Sequence, residues 1–243
     1  SGDARPSTII AIRNAEKWLL NNLPKTRNLN RGATYNVWAH AYGLRALASL
    51  YRHNNNSQKR SEYKRQAELQ IAKLVSQEDI GRGWGYYDMD DIKTAKPSGL
   101  IMSFTTATIM LAMHDVSSSM DIKLPEKIVQ RGIESLQAMR NPDSTYAYSY
   151  GHRWKPRGLI NRPAGSLGRS QTCNAALRKF GDKDITDDVI RTWLKRLFER
   201  QGWLDHGRKR PIPHEAPAAV AGYFYYYGHY YASECIHILP KKE

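Results

Sequence analysis

A two-part unit recurs about four times along the chain at a period of roughly 60 to 66 residues, and that repeat constrains the fold more than any single motif. The second part of each unit is rich in small and apolar residues: Tyr35 to His53, Ser103 to Asp115, Gly165 to Gly181 and Ala216 to Leu239. Small side chains let helices approach closely. The first part is an amphipathic helix with more charge: Pro6 to Asn22, Gln58 to Gln77, Pro125 to Arg140 and Asp184 to Arg200. Ile71, Leu74 and Val75, like Ile128, Gly132, Leu136 and Met139, recur at helical spacing with Lys, Arg and Glu between them. Pro125 fits the first helical position, with Glu126 beside the positive end of the helix dipole. Such antiparallel pairs cannot bury their apolar faces alone, so neighbours must stack. The expected fold is all-α, with paired helices in a ring or arc forming one domain over residues 1–243.

Two connections are long, 81–97 and 141–164. In the second, Tyr146, Tyr148 and Tyr150 alternate as on a short strand. Long loops in a compact domain often carry function.

The formal charge of +14 biases the surface toward anionic partners: acidic polysaccharide, phosphate-bearing ligand, nucleic acid or an anionic membrane face. Denser basic pieces lie at Arg153, Lys155, Arg157 and Arg162 and at Arg208, Lys209 and Arg210. Neither reads as a nucleic-acid recognition helix or a disordered basic arm, which argues against nucleic acid. No long uncharged apolar run is present, so no membrane span and a soluble chain are expected. Cys173 and Cys235 are too few for a disulfide framework and lack zinc-pair spacing. The chain begins at Ser1-Gly2, which resembles the scar of a cleaved tag, so an export signal upstream stays open and the compartment with it.

The repeats resemble those of the terpenoid cyclase and protein prenyltransferase superfamily, whose fold is an α/α toroid with inner and outer helix rings around a central cavity. The family hallmark runs basic residue, Gly or Ala, aromatic, aliphatic, then Gln, Gly and Trp. Here Arg131, Gly132 and Leu136 keep register, while Ser135, Arg140, Ser144 and Tyr146 replace the aromatic, Gln, Gly and Trp. Ala15, Trp18 and Leu19 match in the first unit, where Leu23 replaces Gln; Gln77, Gly81 and Trp84 match in the second with shifted spacing. The resemblance implies a toroid or incomplete toroid with about four pairs visible, fewer than full family members have, and so a fragment or a module of a larger polypeptide. It also implies that Trp84 is a fold staple.

The stretch Gly83 to Asp91 contains Asp88, Asp90 and Asp91, which spell the Asp-x-Asp-Asp acid of class II terpene cyclases. A carboxylic acid protonates an alkene only from a dry, tuned site. In the family that motif opens an inner helix, and the matching positions here, Ser103, Phe104, Thr105 and Thr106, are not acidic. The aspartates read as a solvated loop, with a calcium site as the next reading and a cyclase acid after it. For the prenyltransferase zinc site, His229 resembles the family histidine, but Cys173 is displaced and the acid is missing, so no metal and no cofactor is expected.

What remains is a set of polar and aromatic residues near the starts of the inner helices, which in the family point toward one mouth of the cavity: Tyr35, Asn36, Trp38, His40, Ser103, Thr105, Arg169, Gln171, His214, Glu215, Tyr226 and His229. Aromatic walls with Arg or His at the mouth suit a small anionic or amphiphilic ligand, or an acidic saccharide. Arg169 and His229 are favoured as functional because charge there needs a partner. Equally, Tyr and His on close-packed helices often satisfy one another, and His214 and Glu215 read first as a helix cap. The run from Gly222 to Gly228 is too continuously aromatic for one amphipathic face, so part of it must border a cavity or partner. The expected function is ligand binding in an aromatic cavity. A lyase acting on acidic polysaccharide is the alternative, using Arg153, Arg157, Arg169 and the tyrosines from Tyr146 to Tyr150, and a cyclase or prenyltransferase-like enzyme the second alternative.

Overall fold

The computed structural model describes residues 5–30, 32–89, 96–210 and 219–240. Among them the chain is all-α: α1 (Pro6–Asn22), α2 (Asn36–Arg52), α3 (Ser57–Ser76), α4 (Ser103–Met120), α5 (Glu126–Met139), α6 (Pro163–Lys179), α7 (Asp187–Arg200), α8 (Gly202–Arg208) and α9 (Phe224–Ile238). The tyrosines at 146–150 form no strand; only isolated bridges join Met102 to Ser149 and Arg140 to Tyr146. α9 begins at Phe224, later than composition suggests, because the chain turns through Ala219 at a φ of 54°. α8 had no counterpart in the sequence reading: at seven residues it is too short for a periodic signal.

The small-residue helices form an inner row in which α2 packs on α4, α4 on α6 and α6 on α9. They run in one direction, since residues near their starts touch one another (Trp38 with Phe104, Phe104 with Phe224) and so do residues near their ends. Outside the row, α3 covers α2, α5 covers α4, α7 covers α6 and α8 covers α9. α4 and α6 are the most enclosed, buried over most of their circumference, as a helix covered on all sides must be. α6 and α9 approach most closely at two glycines: a Cβ on Gly228 would lie 2.8 Å from the Gly168 Cα.

Polar side chains fasten the outer layer. The Gln77 amide accepts from the Leu29 N–H at 2.8 Å and donates to Asn28, tying the end of α3 to the preceding turn. Gly83, at φ +92°, turns the chain so that the wholly buried Trp84 donates to the Leu74 carbonyl at 2.8 Å. Glu78, buried at the end of α3, receives both guanidinium arms of Arg131 and the Lys96 ammonium.

Candidate functional site

α2 and α9, the first and last of the inner helices, meet through long side chains rather than close backbone packing. Between them lies a cavity of about 590 Å³ lined by Tyr35, Trp38, Tyr42, Tyr86, Tyr223, Tyr226, Tyr227 and Tyr230. Its geometry follows from two facing stripes. Tyr35, Trp38 and Tyr42 fall at i, i+3 and i+7, and Tyr223, Tyr226, Tyr227 and Tyr230 at i, i+3, i+4 and i+7, so each set stands on one face of its helix. Tyr86 enters from the loop before α4.

The mouth is held rigidly. Tyr35 caps α2 at φ 67°, a left-handed conformation that a bulky residue adopts only when its surroundings hold it there. Its N–H donates to the Tyr86 carbonyl, and its ring stacks on Tyr86 at 4.9 Å between centroids. Below it, Phe104 packs under Trp38, Tyr86, Tyr148 and Phe224 and fills the space between the inner helices.

The hydroxyls of the lining are largely engaged by protein. Tyr86 pairs with Tyr148 at 2.7 Å, Tyr35 with Tyr87 at 3.1 Å, and Tyr227 donates to the Phe104 carbonyl at 3.0 Å. The walls therefore present ring faces. Burial, reinforced for Tyr86 by the Tyr148 hydroxyl, pushes the Tyr86 and Tyr223 phenols well above their ordinary range, so both stay protonated at neutral pH. Beneath Tyr230 the guanidinium of Arg45 lies 5.2 Å from the ring centroid, already paired with Asp115 and Glu234.

Of the residues proposed from sequence, Tyr35, Trp38 and Tyr226 line this cleft. The other described ones are not among its lining residues. Asn36 donates to the Arg27 carbonyl at 2.7 Å, and His40 is buried against Gln70 at 2.6 Å. Thr105 is wholly buried; Gln171 donates to the Trp193 carbonyl at 2.9 Å. His229 bonds the Tyr225 carbonyl at 2.7 Å and Gln201 at 3.3 Å. Arg169 is wholly buried, and its three nitrogens donate to the carbonyls of Tyr146, Gly165 and Ile160. Burial pulls that guanidinium down to about 10, which leaves it charged at neutral pH. His214, Glu215, Asp90 and Asp91 lie outside the described residues.

Sequence reasoning missed Tyr42, Tyr86, Tyr223, Tyr227 and Tyr230 as lining residues. The helical spacing of the tyrosines after Gly222 was the available signal; Tyr86 comes from a loop and had none. Among the described residues, no group of three or more His, Cys, Asp or Glu could hold a metal ion, both cysteines are free and buried, and no helix is long and apolar enough to cross a membrane. In comparisons with protein-family models, curated proteins and solved structures, nothing matches the chain.

Proposed function

We propose that the chain is an incomplete α/α toroid, arranged like the terpenoid cyclase and prenyltransferase repeats it resembles, and that the cleft between α2 and α9 binds an amphiphile with an apolar body and an anionic group. The observation that carries this reading is a cleft of about 590 Å³ whose lining, among the described residues, is eight aromatic side chains with no carboxylate. A saccharide can stack its C–H faces on such rings, but its hydroxyls would lose water against walls that offer few partners, which costs free energy. A hydrocarbon body loses nothing there and gains the burial term, roughly 25 cal/mol per Å² of apolar surface.

The preference for an anionic group rests on the surroundings. Arg208 stands 5.2 Å over the ring of Tyr225, the sequence neighbour of the lining residue Tyr226, and shares Asp205 with Lys209, so these three side chains together carry net positive charge. The +14 charge of the whole chain works in the same direction. The lyase reading has weaker support. A lyase needs a phenol shifted down to act as base and a free guanidinium to neutralise a uronate; Tyr86 and Tyr223 are shifted up, and Arg169 is engaged by backbone.

Calorimetric titration below the micellar concentration tests the proposal with dodecyl phosphate, dodecyltrimethylammonium and a galacturonate oligomer. Saturable binding of one dodecyl phosphate per chain, at least about tenfold tighter than the ammonium, is expected. No saturable binding of dodecyl phosphate, or unsaturated products from the galacturonate, would overturn it.

A further inference from the structure

The loops that lead into α2 and α6, and the described residues just before α9, lie at the same end of the inner helices as the mouth of the cleft. The Ser103 N–H donates to the Tyr148 carbonyl and the Tyr150 N–H to the Ile101 carbonyl, which seats the 141–162 loop on the start of α4. Asn36, opening α2, holds the Arg27 carbonyl, and Gly222, just before α9, sits against Arg208.

The loops before α2 and α6 are predominantly basic, with Asp143 in the second of them and Asp88 in the loop before α4 among the described acids of this end. From Ser144 to Gly181 the sequence contains no Asp or Glu, and from Lys17 to Ser61 none either. Lys155, Arg157 and Arg162 are exposed, as are Lys25 and Arg27. In the middle of the basic loop Trp154 is 80% exposed, held out on a short 3-10 turn with the Arg153 guanidinium 5.3 Å from its ring. Leu159 is exposed in the same loop, and Tyr226, 66% exposed, stands at the mouth of the cleft.

We infer that this end of the molecule docks on an anionic lipid surface, with Trp154 entering the headgroup region and the basic loops lying on the phosphates. A Trp ring has an apolar body and one polar N–H, which suits the water–hydrocarbon boundary, and each basic side chain near such a surface adds attraction that salt screens. A sugar or a base could stack on the indole, but neither would gain from the exposed Leu159 beside it, whereas a lipid surface takes both side chains. Docking in this orientation turns the mouth of the aromatic cleft toward the bilayer. The inference concerns the face around the cleft and stands apart from what the cleft binds: Trp154 is not among the lining residues.

Sedimentation of the protein with phosphatidylcholine vesicles, with and without phosphatidylglycerol, tests it. Binding only to the phosphatidylglycerol vesicles, lost in high salt, is expected. Lys155→Glu combined with Arg157→Glu should weaken it about tenfold or more. Trp154→Ala should weaken it several-fold while leaving dodecyl phosphate affinity in solution unchanged. Equal binding to both vesicle types, indifference to Trp154→Ala, or retention on heparin with no vesicle binding would each overturn the inference.

Discussion

Arg45 on α2 donates to Glu234 on α9 at 2.5 Å, across 189 residues of chain. Asp115 of α4 accepts from the same guanidinium at 3.0 Å, and Lys179 of α6 completes an alternating square by reaching Asp115 at 3.4 Å and Glu234 at 3.3 Å. One residue from each inner helix thus joins the far end of the row, where α2 and α9 are otherwise held apart. Burial pulls the Arg45 guanidinium toward its neutral form, but Asp115 and Glu234 outweigh it and hold the charge. Removing one member leaves its partners short of a counter-charge, so Glu234→Gln should lower stability by about 1–3 kcal/mol in urea unfolding. Arg45→Met added to Glu234→Gln should cost less than the two single losses summed, which a double-mutant cycle reads directly.

Gly168 and Gly228 set the spacing of α6 and α9. Gly228→Ala would place a Cβ 2.8 Å from backbone that cannot move aside, and should cost about 1–3 kcal/mol through overpacking. Gly202→Ala is the matched control, since nothing lies within 4 Å of its added carbon. Its thermal midpoint should stay level or rise slightly through lower unfolded-state entropy.

Glu78 makes part of the stability depend on acid. Burial pushes its carboxyl up, but the hydrogen bonds from Arg131 and Lys96 outweigh this and hold it below the ordinary range. Its contribution is fully present above the unfolded carboxyl pKa of about 4.3 and is lost as pH falls through the lower folded value. Glu78→Gln should therefore cost roughly 2 kcal/mol at neutral pH. The variant's stability should fall less steeply than the parent's below about pH 4 in urea titrations.

The helices were legible because their apolar spacing and small-residue faces are local properties. α1 to α7 all fall within five residues of their expected bounds. The candidate site was only partly legible. Tyr35, Trp38 and Tyr226 could be named because inner-helix starts share one end, yet His40 and Gln171 stand on the same helices and turn toward α3 and α7. Which face of an inner helix borders the cleft depends on how four helices are rotated against one another, and no local spacing carries that. The ion square was invisible for the same reason, its members being single charges on separate helices. Arg169 needed a partner, as expected of a buried charge; the backbone of its own surroundings supplies it.

Trp38 offers the most direct test of the central claim, because it is the one tryptophan lining the cleft among six in the chain. Tryptophan emission should shift to the blue as dodecyl phosphate is added and saturate at one ligand per chain. In Trp38→Phe, which keeps an aromatic wall, that spectral change should disappear while calorimetric binding persists. A shift of unchanged size in Trp38→Phe would place the ligand elsewhere and contradict the account.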